Sequence, residues 1–171
     1  SQFEQTENAL HRFLTASAEQ KAVLDAASKV SIVAVDPKGV IRLFNRGAEQ
    51  LLGYSAAEAV GKLSALALHV EAELTGRCEK LATELGHPVE PLGLLLEYAK
   101  GGHDEDEEWT YVRKDGRSVP VTLSVTPLLD VEGVATGFLC AAMDLTLRKK
   151  AEQQIRDAMK AAEEANRSKS A

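Results

Sequence analysis

The second half of the chain contains three extended runs in succession, separated by turn residues such as Lys114-Asp115-Gly116. The runs cover residues 108–113, 118–129 and 134–143. In the second run Val121, Leu123 and Val125 alternate with threonine and serine, which is the pattern of a strand with one buried face. Short glycine-containing turns join antiparallel neighbours. These runs therefore predict an antiparallel sheet as the frame of the fold.

Two further extended runs lie nearer the N-terminus. Residues 31–35 are apolar or β-branched, stop at the turn signal Asp36-Pro37-Lys38-Gly39 and resume over residues 40–44, which predicts a hairpin. Within it we expect Ile41 and Leu43 to share a face. In the run 134–143 both alternating sets of side chains are apolar, so we expect that strand to be central and covered on both sides.

A helical region separates the hairpin from the last three runs. Asn45 is predicted to cap a helix that ends at Gly53, and Ser55 followed by Glu58 has the spacing of a capping box. Residues 63–100 have a helical pattern broken by glycine and proline. This order predicts an α+β fold in which one sheet carries a helical cap, with a natural pocket between the two.

Both ends of the chain are predicted to be helical. Residues 1–28 contain neither Gly nor Pro. Near the C-terminus small and apolar residues alternate spacings of four and three, which favours an intersubunit coiled coil: Ala151, Ile155, Ala158, Ala162 and Ala165. A helix packed inside one subunit would show the same pattern. We expect an N-terminal helix over 1–28, a domain over 29–146, a signalling helix over 147–171, and a homodimer through the terminal helices.

Composition excludes several classes of function. The net charge of −6 argues against a nucleic-acid binder, and no apolar run approaches the ~20 residues of a membrane span. Cys78 and Cys140 match no metal spacing and are expected to be reduced thiols. A polar start without a signal peptide favours a cytoplasmic fragment of a longer protein.

Several segments in this order resemble the PAS family of sensor domains. They are Val33-Ala34-Val35-Asp36, residues 39–45, 48–54 and 108–116, and Asp144-Leu145-Thr146, which resembles the family's D-[IV]-T ending with Leu in the middle. The resemblance implies a five-stranded antiparallel sheet that senses a ligand, cofactor, light or redox state and signals through a following helix. It also implies that Asp144 and Thr146 couple sheet to helix, although both could be an ordinary helix cap.

The C-terminal residues carry a second resemblance. Residues 163–170 resemble the stretch that precedes the phosphoacceptor helix of sensor histidine kinases. This implies a downstream kinase in the same chain; a cyclase or chemoreceptor is the alternative output. No phosphoacceptor or other catalytic motif is present, so we expect this part of the protein not to be an enzyme.

Strand alternation predicts the residues that line the pocket. They are Val33, Val35, Ile41, Leu43, Trp109, Tyr111, Val121, Leu123, Val125, Phe138, Cys140 and Ala142. Nearly all are apolar, which favours a small apolar ligand. A pocket closed by its own side chains would instead make the domain a ligand-free dimerisation and relay module.

No cofactor is evident. Flavin photosensors of the resembled family place a reactive cysteine where this chain has Ser64, and Cys78 lies beyond that position. Noncovalent flavin would stack on Trp109 and Tyr111, but we expect both to be ordinary core residues. Haem would use His69 or His87, but we expect each to be a surface or satisfied polar residue. No metal site is expected. The acidic run Asp104-Glu105-Asp106-Glu107-Glu108 is interpreted as a solvated loop.

Overall fold

The computed structural model describes residues 18–19, 22–25, 29–100 and 107–170. Its strands are β1 (Ser31–Val35), β2 (Ile41–Phe44), β3 (Glu107–Val112), β4 (Ser118–Leu129) and β5 (Ala135–Asp144). Its helices are α1 (Arg46–Leu52), α2 (Ala56–Ala59), α3 (Glu71–Leu85), α4 (Pro91–Lys100) and α5 (Thr146–Ser170), with a 3₁₀ turn at Ala65–Leu68. Most of the predicted N-terminal helix lies outside the described residues.

The five strands form one antiparallel sheet in the order β2-β1-β5-β4-β3. The last strand in sequence, β5, lies in the middle, where Cys140 pairs with Val33 on one side and Val125 on the other. The predicted α+β fold and the central position of β5 are confirmed. The N- and C-terminal halves of the domain therefore meet along this strand.

The hairpin contains an irregularity that overturns one predicted face. In β2, Ile41 pairs with Val35 and Leu43 pairs with Ala34, and the register shifts between these pairs. Ile41 is fully buried and Phe44 is buried, whereas Leu43 is only partly buried and lies outside the core cluster. Placing Leu43 beside Ile41 was therefore wrong, because the shift breaks the period-two alternation between them.

The outer face of β5 is less covered than its sequence predicted. Leu139 and Ala141 are partly buried, but Met143 is 51% exposed. Coverage on both sides was therefore wrong at the C-terminal end of the strand. An apolar side chain is compatible with an open sheet face, so composition alone does not reveal where a covering layer stops.

The helical cap begins as its capping signals predicted. The Asn45 side chain accepts a hydrogen bond from the Ala48 N–H (2.9 Å), and Gly53 ends α1 in the left-handed conformation with φ 82°. Buried Asn45 also accepts from the Ile32 N–H (2.8 Å) and donates to the Val30 carbonyl (3.0 Å). One amide thus joins the cap to β1.

The C-terminal helix α5 runs for 25 residues beyond the sheet, and its side chains from Leu147 to Lys169 are exposed. From Ala151 to Ala165, α5 therefore packs against no other part of the domain that the structure describes, and the intersubunit coiled coil stays a prediction. The predicted seam is turned toward solvent along its whole length.

Candidate functional site

The side chains between the sheet and the cap form one continuous buried cluster. All of the predicted pocket residues except Leu43 and Val125 are buried within it, and Val125 packs against it partly buried. Leu123 and Phe138 are 3% and 4% exposed, so the strand faces converge on the cap as expected. The interior is mainly apolar, and side chains of the sheet and of the helical cap pack together in it.

Sequence reasoning missed the cap side of this interior. The core also contains Phe44 on β2 and a group contributed by the helices: Ala48, Leu52, Ala59, Ala65, Leu68, Leu74, Cys78 and Leu94. Leu74 and Cys78 are four residues apart on α3, which is a helical core spacing. That signal was present, but the short elements of the cap made their orientation ambiguous.

One corner of the core, beside β3, is aromatic and contains a buried imidazole. His69 makes edge-to-face contacts with Trp109 and Tyr111, at centroid separations of 5.0 Å and 5.1 Å. An isolated β-bridge pairs His69 with Tyr111. We name the set His69, Tyr98, Trp109 and Tyr111 the aromatic corner. It joins the start of α3 to the edge of the sheet.

His69 is the polar group of this corner. Its side-chain Nδ1 is buried and has no hydrogen-bond partner. Burial, together with the positive charge of Arg77, lowers the pKa of His69 to about 4, so the ring is neutral at pH 7. The expectation that His69 is a surface or satisfied polar residue was wrong. His87, by contrast, is exposed, and its Nδ1 lies 3.1 Å from the Pro88 carbonyl oxygen.

Arg77 of α3 covers the outside of the aromatic corner. Its guanidinium carbon lies 3.7 Å from the centroid of the Trp109 ring, and its Nη1 lies 2.7 Å from Glu107 Oε2. Tyr98 of α4 packs edge-on against Trp109 at 5.6 Å. A cleft of about 750 Å³ opens here, lined by Arg77, Lys80, Leu81, Glu84, Glu97, Tyr98 and Glu107.

The structure corrects the interpretation of the acidic run for its last two members. Glu107 and Glu108 begin β3, and their carboxylates pair with Arg77 and Lys149. The partner of Glu107 is 30 positions away in the chain, so no local pattern indicated it. Asp104, Glu105 and Asp106 lie outside the described residues.

The titratable groups inside the core are held in their neutral forms. Burial raises the pKa of the Cys140 thiol to about 12 and that of the Tyr111 phenol well above its usual value. Burial also raises the pKa of Cys78, and both cysteines are free, as predicted. A nucleophile requires a thiolate, so this interior is suited to binding and packing.

The described residues fit the suggested cofactors poorly. The core faces of β1, β4 and β5 carry Val, Leu, Phe, Ala and Cys, and Ser31 at the start of β1 adds one buried hydroxyl. These faces therefore offer few groups to hydrogen bond the polar edge of a flavin. Ser64 caps the 3₁₀ turn by accepting from the Leu66 N–H. His69 is flanked by two rings, which occupy the space that a haem face would need. No group of three His, Cys, Asp or Glu in the described ranges is arranged to hold a metal.

Sheet and output helix join at the end of β5. Asp144 Oδ1 accepts hydrogen bonds from the Thr146 N–H (2.7 Å) and the Thr146 hydroxyl (2.5 Å). Between them, buried Leu145 donates its N–H to the Pro120 carbonyl on β4 (2.8 Å). Asp144 and Thr146 are thus brought together at the junction, where the capping interaction that we considered is present.

Comparison with known proteins agrees with this architecture. A PAS domain from Colwellia psychrerythraea superposes with a TM-score of 0.57 and 23% identity, covering 77% of this chain and 96% of that one; at this identity the likeness shows the fold alone. Two-component system protein A of Emericella nidulans is 33% identical over 77% of this chain, and cell-division control histidine kinase PdhS of Brucella ovis is 28% identical over 88%.

This chain spans 17% of the first of these proteins and 13% of the second. Among the residues with a described position, no helix has both the length and the apolar character to cross a bilayer. The sequence model of the PAS fold family matches residues 19–145, which is most of the chain. The resemblance noted from the sequence is confirmed, and the chain belongs to the PAS fold family.

Proposed function

We propose that this PAS domain is a sensory and relay module that controls a histidine kinase through α5. One histidine kinase and one two-component system protein each contain a segment similar to it, and that segment is a small part of each protein. The proposal makes the kinase a downstream domain of the same protein. It assigns no catalytic step to residues 1–171, whose core holds its ionisable groups neutral.

The continuity between β5 and α5 supports the relay most strongly. The central strand passes through buried Leu145 directly into a 25-residue helix, and the Asp144–Thr146 hydrogen bonds fix the direction in which that helix leaves. A displacement of β5 would therefore change the angle or rotation of α5. Asp144 and Thr146 are the proposed coupling residues.

The proposed stimulus is a small apolar ligand bound between cap and sheet. The interior is lined by the apolar pocket residues, and its buried imidazole, thiols and phenol are neutral. A charged ligand would be desolvated there without a counter-charge. The ligand signals only if it binds the two states of the domain unequally.

A ligand-free relay is the second candidate, because the described core side chains already pack into one continuous cluster. In that case an upstream segment supplies the stimulus, and two copies pair through the terminal helices. We also propose a cytoplasmic location for the domain, since both cysteines are free thiols.

The relay is tested by fusing residues 1–171 to a histidine-kinase core and measuring autophosphorylation. Inserting residues one at a time between Ala171 and the kinase should make activity rise and fall with the helical repeat, because each insertion rotates the output helix by about 100°. Activity that is insensitive to the number of inserted residues contradicts a relay through α5.

The ligand is tested by native mass spectrometry and an absorption spectrum of freshly purified protein. A bound apolar compound adds a discrete mass that disappears on denaturation. A bare-chain mass, together with no thermal shift across a panel of neutral apolar compounds, favours the ligand-free relay.

A further inference from the structure

The cap helix α3 holds the free edge of the sheet. β3 is the terminal strand in the order of the sheet. Among the described residues, one side of its backbone has no neighbouring strand beyond the isolated bridge between Tyr111 and His69. Two α3 side chains bond to that side. Glu73 Oε1 accepts from the Thr110 N–H at 2.8 Å, and the Arg77 guanidinium donates to the Glu108 carbonyl.

The spacing of the two side chains along α3 is close to the spacing of their two partners along β3. Glu73 and Arg77 are separated by one helical turn, about 6 Å along the axis. Residues 108 and 110 are separated by about 6.8 Å along a strand. Two side chains of one helix face therefore replace the hydrogen bonds of a missing neighbouring strand, and α3 and β3 are expected to move together.

The face of β3 that is turned away from the core contacts the output helix, because Glu108 alternates with buried Trp109 along the strand. The Glu108 carboxylate pairs with the Lys149 ammonium, and Lys149 lies in the first turn of α5, where its N–H donates to the Leu145 carbonyl (2.9 Å). Glu108 therefore contacts α3 through its carbonyl and α5 through its side chain. The Asp144–Thr146 hydrogen bonds take no part in this connection.

We propose that Glu73, Arg77, Glu108 and Lys149 form a second coupling path, which carries a displacement of α3 across the edge strand β3 to α5. The inference rests on the proposed relay through α5 and deepens it by naming residues that position the helix. Arg77 also lies over Trp109 of the aromatic corner, so a change in the core next to Trp109 acts on the same path.

Hydrogen exchange of the 171-residue chain tests the path in a double-mutant cycle. The cycle compares the wild type, Arg77→Gln, Lys149→Gln and the double variant. In the wild-type background we expect R77Q to raise amide exchange in the first two turns of α5 about threefold, a small effect because the Glu108–Lys149 pair is partly exposed. In the K149Q background we expect R77Q to leave that exchange unchanged, because the pair is already broken. No effect on α5, or an equal effect in both backgrounds, overturns the proposal.

Three further variants keep the test decisive. Exchange in α5 is scored relative to β5, so that a general loss of stability cancels, and R77K replaces R77Q should the latter not fold. The double substitution Glu108→Lys with Lys149→Glu rebuilds an ion pair with reversed charges. In that background R77Q should again raise exchange in α5, and unchanged exchange would count against the path. R42Q removes the Arg42–Asp36 pair at β2 and should leave α5 unchanged, whereas an equal change contradicts the proposal.

The hydrogen-exchange test of the second path and the insertion test of the relay through α5 can fail independently. Exchange measures the isolated chain, and the insertion series measures the kinase fusion. A fusion that responds to inserted residues while R77Q leaves α5 exchange unchanged overturns the α3–β3–α5 path and leaves the relay through β5 standing. Exchange coupling in a chain whose fusion ignores inserted residues overturns the relay alone.

Discussion

Gly137 lies where β5 passes β1 and has a φ of 155°. A Cβ atom added there would lie 2.0 Å from the carbonyl oxygen of Val35, which is backbone and has little freedom to move. A Cβ atom added at Gly76, within α3, would have no such neighbour within 4 Å. Gly137 is therefore required by the close packing of β1 against β5, whereas Gly76 is not required by any contact. The sequence alone does not distinguish these two glycines.

Gly137→Ala should therefore destabilise the domain by roughly 2–4 kcal/mol, because β1 and β5 must separate to admit the methyl group. Gly76→Ala is the matched control and should stabilise it by roughly 0.5–1 kcal/mol through helix propensity. Urea unfolding measures both. Equal effects of the two substitutions would contradict the close approach of β1 and β5.

His69 is a buried polar ring packed between two aromatic side chains, and the sequence did not predict this position. It is 6% exposed, and its pKa in the folded protein is about 4, below the ordinary value of 6.5. Between pH 6.5 and 4 the unfolded chain therefore binds a proton that the folded protein does not. Since the unfolded state binds more protons, the free energy of unfolding falls as the pH is lowered through this window.

The contribution of His69 to this slope should approach about 1.4 kcal/mol per pH unit near pH 5. His69→Leu should flatten the slope between pH 6.5 and 4, whereas His87→Gln, at an exposed site, should leave it unchanged. Urea unfolding at half-unit pH steps measures this. A slope that persists in His69→Leu would show that other groups cause it.

At the scale of elements, the junction of β5 with α5 shows what local patterns reveal. The Asp-Leu-Thr segment, the Asn45 cap and the Gly53 stop are short-range signals, and each lies at the helix end that it predicted. The register shift in β2 and the pairing of Glu107 and Glu108 were not predictable in this way. They depend on which strand or helix lies alongside, and the partners are distant in sequence.

Asp144→Ala should destabilise the start of α5, because the Thr146 N–H and hydroxyl lose their shared acceptor. We expect a loss of roughly 0.5–2 kcal/mol in the free energy of unfolding and faster amide exchange in the first turn. Asp144→Asn keeps the acceptor oxygen and should recover most of the stability. If Asn were as damaging as Ala, the capping contact would not be the cause.

At the scale of the whole molecule, α5 is a long helix that carries an unpartnered apolar stripe. Leu147, Ile155 and Met159 are 82%, 59% and 63% exposed. The predicted seam of Ala151, Ile155, Ala158, Ala162 and Ala165 is exposed along the same helix. Dimerisation through this seam stays a prediction, since its partner would be a second copy of the chain.

Ile155→Glu should weaken such a dimer at least about tenfold, because it places a carboxylate within the apolar seam. Gln153→Glu adds the same charge on the opposite face of α5 and should leave association unchanged. Sedimentation velocity across a concentration series measures the dissociation constant. A chain that is monomeric at every concentration, or variants that behave alike, would contradict pairing through α5.

The sequence by itself determined the sheet, its central strand, the helix caps and most of the residues that face the core, because side-chain alternation and capping act over a few residues. Tertiary structure alone decided that Leu43 leaves the core and Phe44 enters it, that His69 is buried without a partner for Nδ1, and that Arg77 and Lys149 both bind the start of β3. These features depend on strand register and on contacts between distant segments, which come into existence only when the chain packs.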